Sequence, residues 1–218
     1  TVLFVMVVIN AINFVDGLDG LATGIVAICA MAFFGFSYLL AVVNGLNRAG
    51  APSLITAIII GVCIGFLPHN YHPARIFMGD SGAMFLGLLL SAAAITLTGQ
   101  IDLNAITNQS SNKVLLPLLL PFSILAIPLI DLSMAIVRRL RAGRSPFTAD
   151  KEHLHHRLLS MGNSHRRTSA ILYSWTAMFA FPTAIAAFAP IWIALSVGLG
   201  IFIFSFVLIR KSLVTANV

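Results

Sequence analysis

Four clusters of polar residues interrupt an otherwise apolar chain, and each has a composition suited to phosphate or metal chemistry. The first runs Asn10-Ala-Ile-Asn13-Phe-Val-Asp16-Gly17-Leu18-Asp19-Gly20, between two apolar stretches. An Asp-Gly step alone is a common turn former. Two such steps beside two Asn residues exceed what a turn needs, because a carboxylate within a bilayer costs about 2.5–3.5 kcal/mol on insertion scales. The second cluster is Arg75-Ile-Phe77-Met-Gly79-Asp80-Ser-Gly82. Its glycines permit close backbone approach or positive φ, and Asp80 supplies an oxygen ligand of the kind Mg²⁺ accepts beside substrate phosphates. Gly-Asp-Ser-Gly is also similar to the nucleophile loop of trypsin-like serine proteases, but the strands and disulfides of those β-barrels are missing here.

The third cluster lies in the longest polar loop, 138–168, and reads Asp150-Lys-Glu152-His153-Leu-His155-His156-Arg157. Three His and an Arg in five residues offer donors for a diphosphate, and a guanidinium can fork onto two oxygens at once. A zinc site would want Cys or a second His pair at ligand spacing, and the loop has neither. The arginines Arg138, Arg139 and Arg141 read as membrane-interface anchors. The fourth cluster is Asp131 alone, within an apolar stretch, and it suits either a helix cap or pair, or the wall of a cavity. His69, His72 and His165 read as solvated loop residues.

The elements that carry these clusters follow from composition. The 218 residues are 59% hydrophobic and 9% charged, against roughly a quarter charged in an ordinary globular domain. Apolar runs of about twenty residues are long enough to cross a hydrocarbon core at 1.5 Å per helical residue. Seven such spans are expected, at about 1–14, 21–43, 53–68, 83–99, 114–137, 170–190 and 191–209. The expected fold is all-α, a polytopic transmembrane helix bundle forming a single domain over 1–218, since backbone groups in lipid must bond one another. Gly61 and Gly65 suit close helix packing, and Pro117, Pro121 and Pro128 predict a kinked or broken helix in 114–137. Cys29 and Cys63 sit in apolar runs and read as small buried hydrophobes.

Alternate loops divide Lys and Arg eleven to two: Arg75, Arg138, Arg139, Arg141, Arg144, Lys151, Arg157, Arg166, Arg167, Arg210 and Lys211 on one side, Arg48 and Lys113 on the other. The positive-inside rule makes the first side cytoplasmic, and all four clusters face it. The net charge of +6 therefore reflects orientation at a lipid bilayer, and no nucleic-acid partner is expected.

Asn-x-x-Asn-x-x-Asp-Gly-Leu-Asp-Gly-Leu-Ala, Phe-Met-Gly-Asp-Ser-Gly and His-Leu-His-His-Arg, in this order, resemble the polyprenyl-phosphate N-acetylhexosamine-1-phosphate transferase family. The His-x-His-His-Arg form is similar to the bacterial members that use UDP-N-acetylglucosamine (UDP-GlcNAc); those using UDP-MurNAc-pentapeptide tend to carry consecutive His. The resemblance implies transfer of GlcNAc-1-phosphate from UDP-GlcNAc to a polyprenyl phosphate, with release of UMP, at the start of a lipid-linked envelope polysaccharide. It implies a multi-pass protein of the bacterial plasma membrane whose site faces the cytoplasm, with a homodimer as one arrangement left open. Mg²⁺ or Mn²⁺ would bridge the diphosphate, with Asp80 and Asn13 as metal residues. Asp16, Asp19, Asp80, His155 and His156 would be catalytic; Asn10, Asn13, Asp19, Phe77, His153, His156 and Arg157 would bind substrate. Among these, Phe77 would stack on uracil and Asp19 would meet its edge.

The chain departs from the family in lacking an adjacent Asp-Asp pair and in having seven expected spans where the family has ten or eleven. It is therefore expected to be a C-terminal portion, inactive by itself. An intramembrane aspartyl protease is an alternative with similar ingredients, but Phe77 stands where its Gly-x-Gly-Asp motif needs glycine, and that reading leaves the His cluster unused. A cation transporter would place polar groups near the midplane and often shows internal repeats; neither feature is found here.

Overall fold

The computed structural model describes residues 1–44, 50–99, 119–145 and 153–215, with side chains for all of these except 43, 44 and 211–215. Its helices are α1 (Val2–Val15), α2 (Leu21–Asn44), α3 (Gly50–Asn70), α4 (Gly79–Gly99), α5 (Ala126–Arg141), α6 (Leu154–Ser160), α7 (His165–Ala186) and α8 (Ile191–Thr215), with a helical stretch at 119–124 before α5. Among the described residues there is no strand. Five helices, α2, α3, α4, α7 and α8, are long and apolar enough to cross a membrane, while α1 is a shorter apolar helix. A polytopic bundle fits; of the seven expected spans, the remaining one, 114–137, falls partly outside the described residues and is broken where they resume.

That break has a local cause. The helical run turns at Leu125 before α5 begins, and Pro128 has no N–H to offer the Ile124 carbonyl one turn earlier. The vacant acceptor is filled from α2, where Cys29 Sγ donates to Ile124 O at 3.2 Å. Cys29 is thus more than a small apolar filler. Both cysteines are buried and free.

The core centres on α2. Its residues Leu21, Ile25, Val26, Phe33 and Phe36 are buried against α3 and α7, with α1 and α4 packed beside it. Gly61 and Gly65 do not take part in close packing among the described residues, since a Cβ at either would meet nothing within 4 Å. The tight approach occurs instead at Gly87 of α4, which lies against the Ile9 backbone of α1. α8 packs on α7, to which it is tied by Arg167 Nε donating to Leu208 O at 3.0 Å. Most of its large side chains, among them Leu195, Leu199 and Phe206, point outward.

Two element boundaries differ from expectation, and both matter to the site. α4 begins at Gly79, four residues before the expected span, so Asp80 lies in its first turn. The polar loop 138–168 contains α6, which was not expected; Leu154 and Leu158, spaced at i and i+4, turn inward, and Leu158 is buried. Lys151 and the rest of 146–152, like Arg48 and Lys113, fall outside the described residues.

Candidate active site

α1 ends at Asp16, whose N–H bonds Asn13 O at 3.1 Å. The last turn projects Asn13 toward the start of α4, and Asn13 Nδ2 donates to Asp80 Oδ1 at 3.2 Å across 67 residues of sequence. Gly79, at φ +67°, makes the left-handed turn that starts α4. Asp80 then sits at a helix N-terminus, where the backbone dipole favours a negative charge. Asp16 is close enough to feel it: burial and then the Asp80 charge push its carboxyl up to about 6.

The carboxylates of Asp16 and Asp80, at the end of α1 and the start of α4, are hard oxygen donors that a small divalent cation accepts, as is the amide oxygen of Asn13, and a cation would relieve the repulsion felt by Asp16. Among the described residues, no three His, Cys, Asp or Glu side chains converge as an ion site. An ion held here would therefore complete its shell from amide, water or phosphate oxygens, as Mg²⁺ does beside nucleotides.

The histidine segment reaches the same place from α5. Asp131, buried in that helix, accepts from His153 Nδ1 at 3.1 Å and from the Leu154 N–H at 2.9 Å. Its carboxylate thereby binds the first free N–H of α6. His153, also buried, lies 5.4 Å from the Phe14 ring of α1, and its ring stacks with His155 at 5.7 Å. His155 is buried directly against Gly17, where any side chain would collide with the imidazole. Glycine in the first Asp-Gly step is thus demanded by contact with a histidine some 140 residues away in sequence. Burial, and then the neighbouring His156, hold the His155 pKa down at about 4, so this ring is neutral near pH 7. Its Nε2 is buried with no partner among the described residues. His156 and Arg157 are exposed one and two residues further on.

Asp19 looks the other way along the turn. Its Oδ2 accepts from His72 Nδ1 at 2.8 Å and from the Ala74 N–H at 3.1 Å. Burial opposes ionisation of Asp19, but these two bonds and the charges of His72 and His165 outweigh it and hold the carboxyl below its ordinary value. The loop they belong to, 71–78, is also pinned from behind. Asn70 Nδ2 donates to Ile76 O at 3.0 Å, while Asn70 Oδ1 accepts from Thr23 of α2 at 2.6 Å. Tyr173 of α7 donates to Gly20 O at 2.5 Å.

The structure therefore brings Asn13, Asp16, Asp80, His153, His155 and Gly17 to one end of the bundle, with Asp19 on the adjoining side of the turn. Phe77 is 74% exposed on the same loop as His72. Asn10 turns back to its own helix, donating to Met6 O at 2.7 Å. His69 is exposed in the last turn of α3, but His72 and His165 are not merely solvated loop residues. His72 bonds Asp19, and its ring stacks on His165, the first residue of α7, at 4.6 Å. Arg139 is likewise more than an interface anchor: it is buried with its guanidinium 5.5 Å over Phe14. A signal for it was present, because Asp131, Ala135 and Arg139 recur at four-residue spacing on the buried face of α5.

Residues 1–98, which hold the Asp16–Asp19 turn and the Asp80 helix start, match the description Glycosyl transferase family 4. They belong to that family. The matched segment ends before α5, and the histidine segment is covered instead by relatives that match more of the chain. The chain is 50% identical over 182 residues to a decaprenyl-phosphate N-acetylglucosaminephosphotransferase of Mycobacterium leprae, covering 83% of this chain and 46% of that protein. It is 35% identical over 196 residues to a probable undecaprenyl-phosphate N-acetylglucosaminyl 1-phosphate transferase of Bacillus subtilis, covering 89% and 49%. A phospho-N-acetylmuramoyl-pentapeptide-transferase of Gemmatimonas aurantiaca is 42% identical over 99 residues, 42% of this chain and 26% of that one. The chain spans about half the length of the first two relatives.

Proposed function

We propose that this chain forms the donor-binding and phosphoryl-transfer part of an enzyme that moves GlcNAc-1-phosphate from UDP-GlcNAc to a polyprenyl phosphate, releasing UMP. The observation that carries this reading is the Asn13–Asp80 contact, which joins two motifs 67 residues apart beside the Asp16 carboxyl, with His155 seated on the same turn. Phosphoryl transfer asks little covalent help of a protein; it asks for aligned oxygens and for compensation of charge as the leaving group departs. The carboxylates together with the exposed His156 and Arg157 suit that task, and the first two relatives above are named for a decaprenyl and an undecaprenyl phosphate. Mg²⁺ or Mn²⁺ would be held by Asp80 and Asn13, supplying Lewis-acid neutralisation of the diphosphate.

The remaining residues have distinct tasks in this reading. His155, neutral and buried, would offer a hydrogen bond and not a charge, while Arg157 would fork onto phosphate oxygens. His153 is committed to Asp131, so it serves by seating the segment. Asp16, Asp80, His155 and His156 border the reacting phosphates; Phe77 and Asp19 border the uracil. The reading is tested by supplying UDP-GlcNAc and a short polyprenyl phosphate to the intact membrane-embedded enzyme. UMP should appear only when both are present, and its absence would refute the reaction.

Phe77 gives a prediction of its own. Its ring is 74% exposed and free to stack on a base, so Phe77→Ala should weaken UDP-GlcNAc binding by about 1–3 kcal/mol, the range for base–aromatic stacking. The loss should fall on the donor KM with the metal requirement unaltered. Unchanged donor affinity would remove Phe77 from the nucleotide site.

We also infer that this end of the bundle faces the bacterial cytoplasm, where nucleotide sugars are made. A Cys placed at Ser145 should resist a membrane-impermeant thiol reagent in intact cells, and one at Ser111 should react. The reverse pattern would turn the site to the outside.

A further inference from the structure

The uracil-facing role of Asp19 raises the question of what aims its carboxylate. A carboxylate at a turn between two helices can rotate, and a base-reading group that rotates discriminates poorly. Here the rotation is blocked. Oδ2 carries both bonds, from His72 Nδ1 at 2.8 Å and from the Ala74 N–H at 3.1 Å, and Oδ1 has no partner among the described residues. His72 is itself fixed on two sides. Its ring stacks on His165 at 4.6 Å, and its carbonyl accepts from Arg166 Nε at 3.1 Å. Arg166 also lies 5.9 Å over the Tyr71 ring. Three segments distant in sequence, the 16–20 turn, the 71–78 loop and the start of α7, thus converge on one oxygen of Asp19.

We propose that His72 is a positioning residue for nucleobase recognition: it fixes Oδ2 of Asp19 and so leaves Oδ1 to accept from the N3–H of a uracil base. Uracil presents an N–H donor at N3, where cytosine presents a lone pair. A carboxylate held with one oxygen forward accepts from the first and repels the second. Because His72 shares its loop with Phe77, the same anchor would also set the stacking ring above the base. This inference rests on the transferase reading and adds a residue that neither touches the phosphates nor takes part in the chemical step.

The intact enzyme in membranes tests it. His72→Ala should raise the donor KM about tenfold and lower the preference for UDP-GlcNAc over CDP-GlcNAc by about the same factor, as expected for loss of one hydrogen bond to a charged group. kcat should stay within about twofold, since the reacting groups are untouched. His72→Asn places an amide N–H near the position of Nδ1 and should recover most of both effects, which a loss of general loop packing would not allow. Unaltered KM and base preference in His72→Ala would overturn the positioning role, as would a fall in kcat alone or failure of Asn to improve on Ala. UMP binding to each variant, followed by thermal shift, reads the same effect without turnover. A wild-type enzyme that neither binds uridine nucleotides nor releases UMP would overturn the transferase reading and this inference together; normal wild-type turnover with an indifferent His72→Ala would sink only the inference.

Discussion

Asp80→Asn is expected to lower the kcat for UMP release from the intact enzyme by at least about 10²–10³-fold, the loss seen when one preorganised transition-state stabiliser is removed. The substitution keeps shape and can still accept from Asn13, so the contact at 3.2 Å need not break. It removes charge. In the proposed reaction, a neutral amide at the start of α4 would no longer offer the negative charge with which Asp80 would hold a divalent ion. Folding should be spared, because Asp80 is exposed in the first helical turn and buries no partner. With the like charge gone, Asp16 should move back toward the ordinary carboxylate range, a change that reports on the site independently of turnover. UMP release at varied Mg²⁺ checks the first point. Full activity with wild-type metal dependence would exclude Asp80 from metal binding.

Asp131→Ala should also be damaging, by a structural route and to a smaller degree. Its carboxylate is the buried acceptor for both His153 Nδ1 and the Leu154 N–H. Removing it strands two donors, each costing about 1–3 kcal/mol when buried and unpaired. α6 has seven residues, too few to persist without outside contacts. We expect it to leave the bundle, carrying His155 and His156 away from the 16–20 turn. Hydrogen exchange over 153–160 should accelerate strongly, and kcat/KM should fall about tenfold or more. Asp131→Asn retains an oxygen for the Leu154 N–H and should be milder. Wild-type exchange protection across α6 in the alanine variant would show that something else seats the segment.

The sequence made the membrane architecture legible because it depends on run length and composition, which are local. It also pointed to the three motifs that meet, since charged and amide groups beside long apolar runs need a reason. Less legible was how those motifs are held. Helices that are apolar nearly all round carry little azimuthal signal, so the partner of Asp131 could not be read from α5 alone. His153 lies 22 residues away, and its bond depends on the path of the intervening loop. The same holds for Asp19 and His72, 53 residues apart. His72 looked like solvated loop because no local pattern distinguishes a histidine facing water from one facing a carboxylate. Cys29 was legible as buried, but its bond to Ile124 required knowing which helix passes beside the proline break.

The outward-facing last helix bears on how the protein is made. Among the five long apolar helices, α7 is the least hydrophobic and α8 the most. α7 is polar for good reason: it brings Arg166 to His72 and the Tyr173 hydroxyl to Gly20. A segment so equipped partitions weakly into lipid from the translocon, and the following one partitions strongly. The short 187–190 connection lets the two enter as a helical hairpin, with α8 drawing in a neighbour that would insert poorly alone. A span that adds little to the packed core of the described residues can in this way be indispensable during biogenesis, and its outward-facing leucines and phenylalanines would then serve partitioning.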